Sequence, residues 1–265
     1  MSAQKTLQIV SRFQNNALST LRYEENPHVL DKESVAAHLS RMFRLAGYIT
    51  PQLKEEFANH KESATLIEDL FFNILFHDDD EIVSGKDIST FNKTHNAHDD
   101  EEIAAIMEAL ASLETDQIAL EKKYVMAFRE KKTLASQIAK VLDNLTGNQV
   151  AIEQLIGMIH PDYVLLCIDY IEKQKGISQT TDVLIEEQIQ RIKVVRKGLQ
   201  DDAKHVSEIA YDLKTRGIGK HDIIWNNMQK LLKVDIQTYI PDKSKVYFPV
   251  WEYDIDSPIP LEDEP

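Results

Sequence analysis

The chain has 265 residues, of which 43% are hydrophobic, enough to bury the core of one large domain or of one domain with an appendage. Its net charge is −14, from 44 acidic and 30 basic residues, so the molecule as a whole should repel duplex nucleic acid. A small phosphorylated compound stays compatible with this charge, because a local cation can attract it. The single cysteine, Cys167, excludes a disulfide framework and a cysteine zinc site.

The sequence carries no mark of export or of membrane insertion. Residues 1–5 lack the basic, apolar and small-residue order of a signal peptide, and no run of about 18 apolar residues occurs. One cysteine also suits a reducing compartment. We therefore expect a cytoplasmic protein that acts without a membrane.

Apolar residues at helical spacing predict the first two helices. The first stripe covers residues 6–21, and a loop with an Asn-Pro pair follows at 24–30. Residues 31–34 can supply the oxygen cap of the second helix. His38 lies on the apolar face of that helix and should point into the core. Taken alone, an inward histidine is more often a hydrogen-bonded core residue than a metal ligand.

The next predicted helix ends on a pair of metal-ligand residue types. A break at Thr50–Pro51 precedes it, and its apolar residues run over 64–76. His77 and Asp78 follow directly. A buried helix rarely ends on so many acceptors without a cation, so we interpret this pair as part of a metal site.

Two nearby acidic segments have separate interpretations. Gly85 allows a turn that could return Asp87 towards the same cleft. A second His-Asp pair, His98–Asp99, precedes the apolar periodicity that starts at Ile103. Its acids suit an N-cap and a first helical turn, so capping is favoured over metal binding there.

The second half of the chain is also predicted to be helical. A helix over 133–145, ended by Gly147, carries Asp143 among apolar positions, where a carboxylate must cap a helix or meet a cation. Strand signals occur at 236–250, and the acidic tail with three prolines predicts an extended strap or a disordered end. The other predicted helices are 117–131, 149–159, 162–173, 182–195, 203–215 and 221–232.

The expected fold class follows from this dominance of helical periodicity. We expect an all-α helical bundle whose site lies between helices, with additional C-terminal helices and an extended acidic tail. The boundary is predicted near Gly176, which gives a core at 1–176 and an extension at 177–265.

The four candidate ligands form a mixed nitrogen and oxygen set on three predicted helices. They are His38, His77, Asp78 and Asp143. Two imidazoles with two carboxylates suit one divalent ion of Mn, Fe, Co, Ni, Zn or Mg. Spacing alone is weak support, because a chain with nine histidines contains such gaps by chance.

Three segments together resemble the successive signatures of the HD-domain phosphohydrolases. They are Glu33–His38, Phe76–Ile88 and Ala139–Leu145, and the resemblance covers about Leu18 to Leu145. The pattern is closest to that of the bacterial 5'-deoxynucleotidases. The resemblance implies a helical metal-dependent phosphohydrolase in which His38, His77, Asp78 and Asp143 are the metal ligands.

The resemblance also implies roles for four further residues. Glu81 would be the acid or base that acts on the attacking water, and Arg22 would clamp the substrate phosphate with its planar fork. Tyr23 stands where an aromatic side chain lines the sugar pocket. Asp87 corresponds to the acid of a Gly-Asp turn and would contact the leaving side or a sugar hydroxyl.

These residues also have structural interpretations that need no ligand. Arg22 could be a cation beside the carbonyls that end a helix, and Glu81 and Asp87 could be solvated acids. Without the family pattern those interpretations would be preferred. With it, function is favoured for Arg22 and Glu81, and Asp87 stays evenly balanced.

The resemblance implies that the preferred substrate is a 2'-deoxynucleoside 5'-monophosphate, a small-molecule nucleotide that yields a nucleoside and phosphate. Two alternatives stay open. A related HD enzyme could act on a nucleoside triphosphate or a guanosine alarmone. Alternatively, the chain could be a non-catalytic scaffold whose extra helices cover the site, bind a partner or form a homodimer.

Overall fold

The protein is all-α in the part of the chain that its computed structural model describes. The described residues are 3–23, 32–85, 104, 106, 108, 115–154 and 161–200. The predicted helices at 203–215 and 221–232, the strand signals at 236–250, the acidic tail, the His98–Asp99 pair and Asp87 lie outside them. No described helix combines the length and the apolarity needed to cross a bilayer.

The helices cover most of the predicted apolar stripes. In chain order the elements are α1 (Ala3–Ser19), β1 (Leu21–Arg22), β2 (Glu33–Ser34), α2 (Val35–Glu56), α3 (Leu66–Phe76), α4 (Asp79–Ser84), α5 (Thr115–Glu130), α6 (Leu134–Gln154), α7 (Pro161–Glu172) and α8 (Gln179–Gln200).

The chain divides into two compact units. The first comprises the described residues within Met1–Glu25, Lys32–Thr146 and Gly176–Thr181, and the second those within Gly147–Lys175 and Asp182–Pro265. The division of the chain into a core at 1–176 and an extension at 177–265 stays a prediction.

A short ribbon leads into α2. Strands β1 and β2 pair antiparallel, with Leu21 opposite Ser34 and Arg22 opposite Glu33. Ser34 is the N-cap of α2, and its hydroxyl accepts a hydrogen bond of 3.2 Å from the Ala37 backbone N–H. The predicted oxygen cap is thus confirmed. The ribbon fixes the backbone of Arg22 beside the start of this helix.

The predicted break at Thr50–Pro51 is wrong, because α2 continues through Pro51 to Glu56. A proline inside a helix removes one backbone hydrogen bond and normally kinks or ends the helix. Here Ile49 and Leu53, on either side of the proline, are buried in the core. Their burial favours a continued helix over the cost of the missing hydrogen bond.

The junction between α3 and α4 places the first candidate ligands. Helix α3 ends at Phe76, with His77 as its C-cap residue, and Asp78 is the N-cap residue of α4. Helix α4 ends at Gly85, which has a φ of 71° and donates a backbone hydrogen bond of 2.8 Å to Glu81. The predicted turn at this glycine is confirmed.

Helix α6 is longer than predicted. Gly147 was expected to end it, but the helix continues to Gln154. Gly85 and Gly176 are the described glycines with a positive φ, so Gly147 does not take the left-handed conformation of a helix end. Buried side chains at 150–152 extend the apolar stripe beyond it. The predicted helix stop at Gly147 is therefore wrong.

Apolar packing surrounds the site from several helices of the first unit. Helix α3 packs against α2 and α5, and α1 packs against α2 and α4. Rings of Phe72, Phe76 and Tyr124 stack between α3 and α5, with centroid distances of 4.9 to 6.3 Å. Fully buried residues of this core include Val35, Met42, Leu53, Leu70, Ile74, Ile138 and Leu142.

Candidate metal centre

Three parts of the first unit bring the four candidate ligands together. His38 lies in the first turn of α2, His77 and Asp78 lie at the α3–α4 junction, and Asp143 lies on α6. All four are buried, and His38 is 0% exposed. Their convergence therefore depends on the packing of α2, α3 and α6 and not on a local loop.

Three of the four candidate ligands lie within reach of a single ion. One atom each from His38, His77 and Asp78 forms a group in which all atoms lie within 4.8 Å of one another. Asp143 Oδ1 lies beside this group, at 3.1 Å from His38 Nε2 and 3.9 Å from His77 Nε2. His38 Nε2 is 3.9 Å from Asp78 Oδ2.

The His77 ring is oriented by its own helix. Its Nδ1 donates a hydrogen bond of 2.9 Å to the Ile74 carbonyl oxygen, so this nitrogen carries the proton. The other nitrogen, Nε2, then faces the cluster and lies 3.0 Å from Asp78 Oδ1. A carboxylate oxygen and an unprotonated ring nitrogen repel each other at this distance, unless a proton or a cation lies between them.

Two basic side chains hold the carboxylates. The Arg22 guanidinium lies 3.5 Å from Asp143 Oδ1 and 4.0 Å from Asp78 Oδ2. Lys140 Nζ donates a hydrogen bond of 2.6 Å to Asp143 Oδ2. The second oxygen of Asp143 is thereby engaged, which leaves Oδ1 as the one turned towards the imidazoles.

The pKa values of the two imidazoles are shifted in opposite directions. Burial, followed by the charge of Arg22, lowers the pKa of His38 to about 4, so its ring is neutral at pH 7. Burial also lowers the pKa of His77, but Asp78 and then Asp143 outweigh it and raise the pKa above its usual value. His38 is therefore uncharged, as a metal ligand has to be, whereas His77 binds a proton more readily than a free imidazole does.

Both carboxylates stay ionised despite their burial. Burial raises the pKa of Asp78, but the charges of His77 and Arg22 outweigh it and hold the pKa below its usual range. For Asp143, burial is outweighed first by Lys140 and then by the hydrogen bond to His38. Two buried negative charges are therefore available to a cation.

The residues fit a divalent metal ion. Two buried polar atoms of the cluster, His77 Nε2 and Asp78 Oδ2, have no hydrogen-bond partner in the described part of the chain, although buried polar atoms are normally paired. Both face the shared volume, where a cation would satisfy them. Imidazole nitrogen and carboxylate oxygen together suit the first-row divalent metals.

Arg22 and Tyr23 lie beside this cluster, as a phosphate clamp and its neighbour would. Burial lowers the pKa of Arg22, but Tyr23, Asp78, Asp143 and Glu81 together raise it well above its usual value, so the guanidinium stays charged. Its Cζ lies 5.3 Å from the centre of the Tyr23 ring. Tyr23 has a φ of 63°, an uncommon backbone conformation that clusters at functional sites.

Glu81 is buried on α4, and Asp87 lies outside the described residues. The charge of Glu81 contributes to the raised pKa of Arg22, which places its carboxylate within electrostatic reach of the cluster. Of the eight predicted site residues, the structure therefore groups seven in one region of the first unit and leaves the placement of Asp87 a prediction.

Two residues next to the cluster carried no predicted role. Lys140 lies three positions before Asp143 on the same helix, a spacing that places two side chains side by side and could have indicated the contact. Glu33 faces His38 from β2, at 3.9 Å between Oε2 and Nδ1. No sequence pattern indicates this second contact, since it depends on where the ribbon ends.

The other acids of the His-Asp-Asp-Asp segment have partners elsewhere. Asp79 is buried against Glu121, and burial followed by the charge of Glu121 raises its pKa well above the usual value. Burial also raises the pKa of Glu121, and the two side chains are hydrogen-bonded to each other. Asp80 pairs with Arg129 at 3.4 Å. Asp78 is thus the aspartate of this segment that faces the imidazoles.

Comparison with known proteins gives one match. Residues 19–160 match a family model described as an HD domain, and this match covers more than half of the chain. The matched range contains every residue of the candidate centre. No curated protein and no solved structure matches the chain.

Proposed function

Because the chain belongs to the HD domain family, we propose that it is a metal-dependent phosphohydrolase that releases phosphate from 2'-deoxynucleoside 5'-monophosphates. Members of this family are generally metal-dependent hydrolases. The observation that carries the proposal is the buried group of His38, His77 and Asp78, with Asp143 beside it, in which His77 Nε2 and Asp78 Oδ2 have no hydrogen-bond partner in the described part of the chain. Arg22 and Lys140 offset the charge of the two carboxylates, and a metal ion would satisfy the buried atoms that they leave unpaired.

A divalent cation bound by His38, His77, Asp78 and Asp143 would polarise a phosphate oxygen and lower the pKa of water from about 15.7 to about 7. Glu81 is the residue proposed to orient the attacking water and accept its proton, which its burial on α4 and the effect of its charge on Arg22 support. This role requires Glu81 to be ionised when the water attacks.

Arg22 is the residue proposed to bind the phosphate. Its Nε and Nη1 atoms are buried and have no hydrogen-bond partner in the described part of the chain. Those N–H groups can donate to two phosphate oxygens at once, because the guanidinium is planar and forked. The same contacts would offset the charge that spreads over the phosphoryl oxygens in the transition state.

The choice of substrate rests on charge, on Tyr23 and on the resemblance of the sequence to 5'-deoxynucleotidases. A net charge of −14 disfavours duplex nucleic acid and leaves small nucleotides as the better ligands. Tyr23 lies next to Arg22 in the chain, and its ring contacts the guanidinium, so a sugar attached to a clamped phosphate would meet this ring.

The proposal is tested by metal content and product analysis on the purified full chain. We expect the protein stripped with chelator to be inactive, and added Mn²⁺ or Co²⁺ to restore release of inorganic phosphate from deoxynucleoside 5'-monophosphates. Asp78→Ala should lose both bound metal and turnover, whereas Glu68→Gln, on the exposed side of α3, should keep both.

The products separate the alternatives. Release of triphosphate or pyrophosphate from any of a panel of nucleotides would show that the substrate is not a monophosphate. The protein would still be a phosphohydrolase. Full activity of metal-free Asp78→Ala would contradict the mechanism. A protein that neither holds metal nor hydrolyses any nucleotide would support a scaffold role.

A further inference from the structure

The far side of the His38 ring faces a buried carboxylate. Nε2 points into the ligand cluster, while Nδ1 points towards Glu33, a residue of β2. Building on the proposed metal site, we propose that Glu33 is a positioning residue: it fixes the tautomer and the orientation of His38 and thereby sets the affinity of the centre for its cation.

Glu33 is held in place from two directions. Its backbone is paired with Arg22 in the ribbon, one residue before the N-cap of α2. Its side chain is 5% exposed, and Oε1 lies 2.8 Å from Arg41 Nε. The Arg41 side chain is 37% exposed, so it connects the buried carboxylate to the surface. The position of this carboxylate is therefore set by a β-ladder and an ion pair.

The proton of His38 explains why that position matters. A neutral imidazole carries one proton, and binding a cation through Nε2 requires the proton to be on Nδ1. His38 Nδ1 is buried and has no hydrogen-bond partner in the described part of the chain, and Glu33 Oε2 is 3.9 Å away. A movement of about 1 Å by either group would give a normal hydrogen-bond distance.

The other tautomer of His38, with the proton on Nε2, would prevent cation binding. His38 Nε2 lies 3.1 Å from Asp143 Oδ1, so a proton on Nε2 would be donated to that carboxylate and would occupy the position of the cation. Glu33 competes with Asp143 for this one proton. By attracting the proton to Nδ1, it frees both Nε2 and Asp143 Oδ1 for the metal ion.

The expected effect is large enough to measure. Loss of a carboxylate or carbonyl that orients a ligating histidine typically lowers metal affinity about 10- to 100-fold. Two variants separate orientation from charge. Glu33→Gln removes the charge but keeps an oxygen acceptor for Nδ1, whereas Glu33→Leu removes both and keeps a similar volume.

The test measures metal binding and does not depend on turnover. The full chain is stripped with chelator, and binding of Mn²⁺ is followed by calorimetry and of Co²⁺ by its visible absorption spectrum. The controls are wild type and Glu55→Gln, which removes an exposed glutamate from the other end of α2. Circular dichroism of each metal-free protein establishes that it is folded.

We expect Glu33→Leu to bind Mn²⁺ about 10- to 100-fold more weakly than wild type and to change the Co²⁺ spectrum, because His38 no longer holds its orientation. Glu33→Gln should fall between the two, and Glu55→Gln should match wild type. Equal losses for Gln and Leu with an unchanged spectrum would mean that charge alone acts, which would overturn the positioning role. Wild-type affinity in both variants would overturn it too. Failure of wild type itself to bind metal would instead refute the proposed function.

Discussion

At the scale of single residues, two positively charged side chains with different partners balance the two buried carboxylates of the centre. Arg22 lies between Asp78 and Asp143, and Lys140 takes the outer oxygen of Asp143. Arg22 has N–H groups without a hydrogen-bond partner in the described part of the chain, and these groups can bind a substrate. Lys140 instead contacts Asp143, a candidate metal ligand. Replacing Arg22 should therefore affect turnover, and replacing Lys140 should affect metal binding.

Replacing Arg22 with lysine should impair turnover without removing the metal. Lysine keeps a positive charge between the two carboxylates but loses the planar fork that can donate two hydrogen bonds to one phosphate. We expect kcat/KM to fall about 100-fold, the size of effect seen when one transition-state donor is lost. Steady-state hydrolysis and metal analysis of the same preparation check this expectation. A variant that keeps wild-type kcat/KM would exclude Arg22 from phosphate binding.

Replacing Lys140 with methionine should lower the stability of the metal-free protein and raise its affinity for metal. The variant leaves Asp143 Oδ2 without its 2.6 Å hydrogen bond, so we expect the metal-free protein to lose about 1–3 kcal/mol of unfolding free energy. Removal of a nearby positive charge should also tighten metal binding several-fold. Urea unfolding with chelator and with Mn²⁺ measures both effects. Equal losses in both conditions would show that Lys140 does not influence the cation.

Residue identities could be predicted where chemistry leaves few choices. His77 and Asp78 are indicated by an apolar helix that ends on acceptors, whereas the apolar face of His38 predicts only that it points inward. Asp143 gained its role from the resemblance, because a lone carboxylate among apolar residues fits several explanations. Glu33 begins the first segment of the resemblance, but no role was predicted for it, since its contact with His38 depends on a ribbon of two residues per strand.

At the scale of elements, burial decides where helices continue. Pro51 and Gly147 are both residues that normally end helices, and both lie inside long ones. In each case buried residues follow the breaker, so the apolar stripe continues and the local preference is overridden. A prediction from local residue preferences places helix ends there, because those preferences contain no information on whether the next turn packs against the core.

Helix α8 offers an element-scale test through its cap. The Glu56 carboxylate accepts hydrogen bonds from the backbone N–H groups of Gln179 (2.6 Å) and Thr180 (3.0 Å), and from the hydroxyl groups of Ser178 and Thr180. A carboxylate at a helix N-terminus satisfies donors that the helix leaves unpaired. We expect Glu56→Gln to lower the free energy of unfolding by about 1–3 kcal/mol at pH 7.

The pH dependence of this cap has a definite sign. Burial raises the pKa of Glu56, but the hydrogen bonds from Thr180, Ser178 and Gln179 outweigh it and lower the pKa from 4.5. The stabilisation is therefore fully present above about pH 4.5 and is lost as the pH falls through the lower folded-state pKa. Chemical unfolding from pH 7 to pH 3 should bring wild type and Glu56→Gln together at the acid end. A constant gap would contradict the cap, and Glu55→Gln is the matched control.

At the scale of the whole molecule, the proposed cation would join parts of the chain that are far apart in sequence. The four proposed ligands come from α2, the α3–α4 junction and α6, so unfolding of the first unit separates them. The unfolded chain has no such site. A ligand that binds only the folded state stabilises it by an amount set by its concentration relative to the dissociation constant.

Metal removal should therefore lower the melting temperature of the protein. At 100 times the dissociation constant, a single site adds about 2.7 kcal/mol, which corresponds to a shift of about 5–10 °C for a domain of this size. Differential scanning calorimetry with chelator and with Mn²⁺ measures the shift, and Asp78→Ala should abolish it.

Because the net charge is −14, weak binding of cations to surface acids also has to be excluded. The same concentration of Ca²⁺, which prefers all-oxygen ligands, should give a much smaller shift, since half of the donor set is imidazole nitrogen. An equal shift with Ca²⁺, or one that persists in Asp78→Ala, would place the stabilising cation outside the histidine cluster.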